Sequence, residues 1–330
     1  MEEPTPQRLG RRRGGARGRL RSRAFRRTRA LVMAACAAIL AVALGAGVHS
    51  AAQARSTAVV QSGNVTNSQA SVPASAASTA SPAATPAVSP TTPAAGAIDA
   101  ELDAKINGII DANSDYQIGV ALLDLSEGAE VAEAVHEYGV DAAFVAASTA
   151  KVLAAEAYYH LVETGEASLG DPLGAYTAEF QLRAMIQQSD NDSWSLIMDA
   201  VGHEELTDYA ASMGVDYSPE SNTLTPADMA HILAGLYSGT LLEPADTEQL
   251  LAYMQDTNYE TLIPAAAPAG ITVFHKYGLL GGELHDAGIL TQGGKAYALV
   301  VYTKGAGLGS VPERTEVIHQ VTEAVTDALF

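Results

Sequence analysis

Apolar residues recur every three or four positions over Ile98–Ala112, a spacing that predicts an amphipathic helix. The run that follows, Tyr116–Leu125, is almost wholly apolar (YQIGVALLDL) and predicts a buried strand. A second strand is expected around Val131–Tyr138, paired with the first across a short polar turn. From residue 98 onward the chain therefore has the pattern of a packed domain.

The centre of this domain shows helical periodicity, and strand-like runs follow near its end. Thr225 and Pro226 mark one helix start, since a hydroxyl can cap the first turn and proline fits its first position. The predicted helices are about Ser148–Thr164, Ala178–Gln188, Asp192–Val201, Glu204–Met213, Pro226–Tyr237 and Pro312–Leu329, and the predicted strands are Ile271–His275, Ala287–Leu290 and Tyr297–Thr303. This order predicts an α+β fold, in which an antiparallel sheet formed from N- and C-terminal strands packs against a helical subdomain.

One apolar segment lies outside this domain. Ala30–Val48 is an uncharged run of 19 residues, about the length of a helix that crosses the hydrocarbon core of a membrane. Eleven arginines precede it, and positive residues stay cytoplasmic, so the remainder is expected on the extracytoplasmic side. The small-residue sequence Ala52-Gln53-Ala54 leaves a cleaved signal peptide as the alternative. The domain is accordingly expected at the cell membrane on a single-pass anchor, or secreted.

Residues 49–97 are mainly Ser, Thr, Ala and Pro, and they cannot bury enough apolar surface to offset the entropy of ordering. A disordered tether is expected there. The chain is thus predicted to hold a basic cytoplasmic segment (1–29), the apolar segment (30–48), the tether (49–97) and one globular domain (98–330).

Charge is divided unequally along the chain. The first 54 residues hold eleven Arg and two acidic residues, whereas residues 55–330 hold 8 basic and 36 acidic ones. A body this acidic repels nucleic acid through its summed field, so we expect no nucleic-acid partner. The domain is expected to be a monomer.

The eight histidines of the chain are candidate metal ligands. The single cysteine, Cys36, lies in the apolar segment, so the domain has no disulfide and no thiolate-bound metal. His275 and His285 could meet across paired strands, but a metal site needs about four ligands, or three and a water, and no third candidate clusters with them. We predict no metal and no other cofactor.

The tetrad Ser148-Thr149-Ala150-Lys151 (S-x-x-K) opens a predicted helix, which places Ser148 and Lys151 one turn apart on the same face. A lysine there can accept the serine proton, and the helix N-terminus adds positive partial charge beside a developing oxyanion. A serine cap followed by a solvated lysine has the same spacing, so the tetrad alone is a weak indication.

Two further groups could face the same cleft. Ser189-Asp190-Asn191 (S-D-N) lies between two predicted helices, where a loop can present a hydroxyl and an amide, although a pair of helix caps uses the same residue types. Lys276-Tyr277-Gly278 ends a strand-like run. In it, Lys276 can bind a carboxylate, and Gly278 lets a substrate backbone lie close to the strand edge.

These three groups, in this order, resemble the S-x-x-K, S-D-N and K-T-G motifs of class A β-lactamases and penicillin-binding proteins. The flanking sequences FVAASTAK, MIQQSDNDSWSLIMDAVG and TPADMAHIL also look like blocks of that family, and the similarity extends over residues 98–330. It implies a β-lactamase-like fold in which Ser148 is the nucleophile, Lys151 accepts its proton and Ser189 relays a proton toward the leaving nitrogen.

The resemblance also implies the substrate contacts. Asn191 would hold a substrate amide and Lys276 its carboxylate, beside Gly278. The backbone N–H groups of Ser148 and Leu279 would form the oxyanion hole.

Two departures from the family pattern affect function. Tyr277 stands where the family has Thr or Ser, so the small hydroxyl that helps to hold the carboxylate is missing. Class A enzymes also carry a loop with E-x-x-L-N, whose Glu activates the deacylating water. Here only Val215–Leu224 precedes Thr225, and Glu220 in so short a loop is a poor substitute.

The resemblance favours an extracytoplasmic serine hydrolase that forms an acyl-Ser148 intermediate with β-lactams or D-alanyl peptides and deacylates slowly. One alternative is a D-alanyl carboxypeptidase or esterase with little β-lactamase activity. Another is a non-catalytic module that binds cell-wall peptide or a protein on the same fold. The intact Ser148, Lys151, Ser189, Asn191 and Lys276 argue against such a module, which has no need of all five.

Overall fold

The computed structural model describes residues 98–126 and 135–330. The strands of the main sheet are β1 (Gln117–Asp124), β2 (His136–Gly139), β7 (Thr272–Leu280), β8 (Glu283–Gln292) and β9 (Lys295–Lys304). They form one antiparallel sheet in the order β2-β1-β9-β8-β7. The N-terminal strands therefore continue the C-terminal ones, and β7 lies at an edge.

A helical region separates β2 from β7 along the chain. Its helices are α2 (Lys151–Thr164), α3 (Ala178–Gln187), α4 (Asn191–Val201), α5 (His203–Ser212), α6 (Pro226–Ser238), α7 (Pro244–Tyr253) and α8 (Ile263–Ala266). Helices α1 (Ala100–Ala112) and α9 (Val311–Leu329) flank the strands at the two ends of the domain, and a short 3-10 helix (Leu308–Ser310) precedes α9. Two small sheets pair β3 (Phe144–Val145) with β6 (Thr223–Leu224) and β4 (Pro172–Leu173) with β5 (Tyr176–Thr177).

The main sheet lies between two hydrophobic clusters. Along β1, Ala121 and Leu123 pack toward the helical region, whereas Val120 and Leu122 pack toward α1 and α9. Because both faces of the strand are covered, its sequence is a continuous apolar run and not an alternating one. The predicted antiparallel sheet, packed against a helical subdomain, is confirmed.

The structure extends several predicted elements. The predicted strand Ile271–His275 covers only the first part of β7, and Ala287–Leu290 covers the central part of β8; both strands include polar residues that are nevertheless buried. The third motif consequently lies inside β7 and does not end it. The start of α6 is confirmed: the Thr225 hydroxyl accepts a hydrogen bond from the Asp228 amide, and the Asp228 carboxylate accepts one from the Thr225 amide.

Some predictions lie outside the described residues. These are the basic segment, the apolar run Ala30–Val48, the tether and part of the second predicted strand, residues 131–134. Across residues 98–126 and 135–330, no helix combines the length and the apolar character that a membrane span requires.

Candidate active site

Ser148 lies in a tight turn immediately before α2, so the predicted helix starts three residues later than expected. The Thr149 amide donates to the Ala146 carbonyl (3.1 Å), and the Lys151 amide donates to the Ser148 carbonyl (3.3 Å). Ala147 has a φ of +52°, which is unfavourable for any residue other than glycine. Such strained backbone is concentrated at functional sites, and here it lies directly before the partly exposed Ser148.

Lys151 points from the first turn of α2 into a polar pocket and is only 2% exposed. Its Nζ donates hydrogen bonds to the Ser189 carbonyl (2.7 Å) and to Asn191 Oδ1 (2.9 Å), with longer contacts to Ser189 Oγ and the Asp190 carbonyl (both 3.4 Å). Burial lowers the pKa of Lys151 to about 7, although the charge of Asp190 opposes this shift. The amine is therefore suited to accept a proton near neutral pH.

Ser189 joins the first and third motifs. It lies in the turn between α3 and α4 with a φ of +52°, the second strained non-glycine residue in the cleft. Its Oγ accepts a hydrogen bond from Lys276 Nζ (3.0 Å) and the longer one from Lys151. Asn191 begins α4, which Asp190 caps by accepting from the Ser193 amide (2.6 Å). The predicted residues of all three motifs are thus brought together.

Lys276 is fully buried beneath the cleft. Besides Ser189, its Nζ donates to the Tyr277 carbonyl (3.1 Å). Burial and the neighbouring charge of Lys151 lower the pKa of Lys276 well below its usual range, while Asp286 opposes the shift. A charged Lys151 therefore disfavours a proton on Lys276.

The free edge of β7 faces the nucleophile turn. The His275 amide donates to the Met254 carbonyl (2.8 Å), away from β8, so at two-residue spacing the Leu279 amide also points off the free edge. A Cβ on Gly278 would lie 3.2 Å from the Ser148 nitrogen and 3.0 Å from the Ala146 carbonyl oxygen. Glycine therefore lets β7 approach the nucleophile turn closely, and any side chain at this position would have to push the turn back.

Two residues behind the turn, the partly buried Asn222 and the buried His285, were not among the predicted catalytic or substrate-binding residues. Asn222, with a φ of +52°, donates from Nδ2 to the Ala147 carbonyl (2.9 Å). His285 donates from Nε2 to the Val145 carbonyl (2.9 Å), and its Nδ1 accepts from the Thr303 amide (3.1 Å). Burial lowers the pKa of His285 to about 4, so it is a neutral structural contact. The isolated Asn and His in the sequence carry no pattern that signals these roles.

The two histidines considered for a metal site do not meet. His275 pairs with Gly288 and His285 with Gly278, three positions apart along the ladder. His275 instead lies between Asp286 (Nδ1 to Oδ1, 2.9 Å) and Glu260 (Nε2 to Oε1, 3.0 Å). Burial alone would lower the pKa of His275, but the two carboxylates raise it to about 9. Among the described residues, no group of three potential metal ligands is present.

Comparison with known proteins agrees with this arrangement. A family model described as the beta-lactamase enzyme family matches residues 101–329. The chain belongs to this family. The resemblance inferred from the three motifs is therefore confirmed, and the fold of the domain is β-lactamase-like.

The solved structures that are similar to this chain include PBP-A and class A β-lactamases. A variant of PBP-A, as its acyl-enzyme complex with penicillin G, is 27% identical, with 69% of this chain and 96% of that chain covered and a TM-score of 0.62. A variant of the class A β-lactamase of the last common ancestor of Gram-negative bacteria is 25% identical (69% and 97% covered, TM-score 0.61). A β-lactamase from Xanthomonas campestris shares the fold at 23% identity (70% and 98% covered, TM-score 0.63).

In this member of the beta-lactamase family, the segment before α6 contains Glu220, the residue considered as a substitute for the Glu that activates the deacylating water. Glu220 lies on its surface with a side chain that is 76% exposed, and its carboxylate is 3.7 Å from His203 Nδ1. It makes no hydrogen bond to the nucleophile turn within the described part of the chain. The inner side of the segment is occupied instead by Asn222 and Tyr217, whose hydroxyl donates to Asn222 Oδ1 (3.0 Å).

Proposed function

We propose that the domain is an acyl-serine hydrolase that acts on β-lactams or D-alanyl peptides through an ester on Ser148, and that it releases the acyl group slowly. The observation that carries the proposal is the position of Lys151. Its buried amine, with a pKa near 7, is held by the second motif one turn after the serine. The acyl-enzyme of PBP-A with penicillin G supports the same chemistry in a relative.

In the proposed reaction, Ser148 Oγ attacks the carbonyl carbon of the substrate and its proton passes to Lys151. The amides of Ser148 and Leu279 stabilise the oxyanion. The C–N bond then breaks, and the leaving nitrogen receives a proton from Ser189, which is resupplied by Lys151 through their contact. An acyl ester remains on Ser148, while Asn191 and Lys276 hold the amide and carboxylate of the substrate.

One alternative within this chemistry has support. The alternative is a D-alanyl carboxypeptidase or an esterase with little β-lactamase activity. The Tyr277 ring, whose centre lies 4.0 Å from Lys276 Nζ, favours the esterase, because a simple ester needs no carboxylate contact at Lys276. Such an enzyme would also form an ester on Ser148, but it would hydrolyse D-alanyl peptides or simple esters at a higher kcat/KM than penicillins.

The decisive experiment exposes the purified domain to penicillin G and measures its intact mass. We expect an increase by the mass of one penicillin, located by peptide mapping at Ser148 and absent from the Ser148→Ala variant. An adduct on another residue would refute the assignment. A protein without any adduct that turns over D-alanyl peptides or esters would instead be assigned to the alternative.

We also propose that the domain functions outside the cytoplasm, since an apolar run and a segment rich in Ser, Thr, Ala and Pro precede it in the sequence. Protease added to intact cells whose envelope admits it should release the domain by cutting within residues 55–96. Full protection under those conditions would contradict the proposal.

A further inference from the structure

We propose that Tyr277 and Asn258 form a latch over Lys276 that must open before a substrate carboxylate can bind, so that these two residues determine specificity against carboxylate-bearing substrates. The inference rests on the proposed function in one respect, namely that Lys276 is the carboxylate-binding residue. It concerns the position at which this chain departs from the K-T-G pattern.

When Tyr277 and Asn258 are hydrogen-bonded, three neighbours surround Lys276 Nζ and leave no side of the amine open to a new ligand. A lysine amine offers at most three N–H donors. Two are used on Ser189 Oγ (3.0 Å) and the Tyr277 carbonyl (3.1 Å). The same Nζ lies 4.0 Å from the centre of the Tyr277 ring, which covers the remaining side. A carboxylate can reach the amine only by displacing one of these neighbours, and the ring is the weakest of the three.

The ring is held over Lys276 by its hydroxyl, which donates to Asn258 Oδ1 (2.8 Å). Asn258 is itself fixed to the chain just before Ser189. The backbone N–H of Asn258 donates to the Gln187 carbonyl (2.9 Å), and its side-chain Nδ2 donates to the Gln188 carbonyl (3.0 Å). The latch thus spans the cleft from β7 to the turn that presents Ser189.

The loop that carries Asn258 is anchored, so the Tyr277 side chain is the part that must move. Thr257 is buried and its hydroxyl donates to Glu260 (2.6 Å) beside His275. The ring of Tyr259 packs against that of Tyr277 with their centres 4.8 Å apart. Burial raises the pKa of Tyr277, so its hydroxyl stays protonated and keeps its donor at neutral pH. Asn258, which accepts the hydrogen bond of Tyr277, is exposed.

The test measures equilibrium binding of penicillin G in the Ser148→Ala background, which cannot form the ester. Adding Tyr277→Phe removes the hydroxyl and keeps the ring, and adding Asn258→Ala removes its acceptor. We expect each to raise the affinity for penicillin G roughly tenfold, the factor for one ordinary hydrogen bond. Tyr277→Thr, which also removes the ring, should raise it further.

The methyl ester of penicillin G is the matched ligand control, because it lacks the carboxylate that would bind Lys276. Its affinity should change less than twofold in the same variants, and thermal melts would confirm that each is folded. Unchanged binding of penicillin G in both Tyr277→Phe and Asn258→Ala, or equal gains for the acid and its ester, would overturn the latch. If the variants bind penicillin G more tightly but the enzyme that keeps Ser148 forms no ester with it, the latch stands and only the proposed function is contradicted.

Discussion

Asn222 Nδ2 donates a hydrogen bond of 2.9 Å to the carbonyl of Ala147, the strained residue directly before Ser148. The backbone carbonyl of Asn222 in turn accepts from the Ala146 amide (2.7 Å), and the Tyr217 hydroxyl donates to Asn222 Oδ1 (3.0 Å). The short segment before α6 therefore fixes the geometry of the nucleophile turn. Positioning of this kind affects reaction rate more than stability, because the turn can relax without disturbing the core.

We predict that Asn222→Gly lowers the rate of acylation by penicillin G between about 10- and 100-fold, the loss typical of a nucleophile displaced by about an ångström. Glycine tolerates the positive φ, so the change removes the amide without adding backbone strain. Stopped-flow labelling measures the rate, and thermal melts measure the fold. Asn222→Ala should be equally slow but less stable. An acylation rate within twofold of the parent would show that the contact has no positioning role.

The sequence is sufficient to predict the three motifs and their common cleft, because each is a short run in which the spacing itself encodes the geometry. It does not identify Asn222 or Asn258, since their roles depend on contacts between residues far apart in the chain. It also misplaces the ends of β7 and β8. Lys276, His285 and Asp286 are polar, and only tertiary pairing makes their burial tolerable.

Acylation should depend on pH through Lys151. Only the neutral amine accepts the proton of Ser148, and the pKa of Lys151 is lowered to about 7. The acylation rate constant is therefore expected to rise as the pH increases from about 6 to 8 and then to level off. Lys151→Ala should abolish acylation with the fold intact, and Lys151→Arg should be inactive throughout because arginine stays charged. A rate independent of pH in the parent would exclude Lys151 as the base.

The His275 cluster predicts a different pH dependence, this time of stability. Asp286 and Glu260 raise the pKa of His275 to about 9, above the value of about 6.5 expected in the unfolded chain. The stabilisation is thus complete below about pH 6.5 and is lost as the pH rises through about 9. Glu260→Gln removes one partner, which is 42% exposed, so we expect a loss of about 1 kcal/mol in the free energy of unfolding at pH 6.

Urea unfolding of both proteins at several pH values checks this prediction. The difference between parent and Glu260→Gln should shrink toward zero by pH 10. Using the difference cancels the contribution of Lys151, whose lowered pKa acts in the opposite direction. A gap that stays constant from pH 6 to 10 would mean that His275 does not carry the charge.

Glu156 predicts a stabilising substitution. It is fully buried in α2, neither carboxylate oxygen has a hydrogen-bond partner among the described residues, and burial raises its pKa well above the usual range. The raised pKa makes the folded state lose stability as the pH increases. Glu156→Met keeps an unbranched side chain and should stabilise the domain by about 1–3 kcal/mol at pH 8, less at pH 5. A variant that is less stable than the parent at pH 8 would show that the carboxyl group has a partner in solution.

The last prediction concerns release of the acyl group. Hydrolysis of the ester needs a water on the acyl carbonyl and a base to take its proton, a role worth about 10² to 10⁴ in rate. Glu220 is turned outward toward His203, and Asn222 and Tyr217, neither of which is a base at neutral pH, occupy the inner side of the segment. Lys151 is neutral again once its proton has passed through Ser189 to the leaving nitrogen, but its amine is held by the Ser189 carbonyl and Asn191 Oδ1 and not by a contact to Ser148 among the described residues.

A fluorescent penicillin should therefore leave a band that survives a chase of minutes and is absent from Ser148→Ala. Glu220→Gln is the matched control: because its carboxylate faces solvent, the variant should release the label at the parental rate. Release at least tenfold slower in that variant would identify Glu220 as the base in a rearranged segment. Rapid turnover of the parent with no trapped adduct would refute slow release, and it would direct the search for the base to Lys151, whose pKa near 7 already allows it to lose a proton at neutral pH.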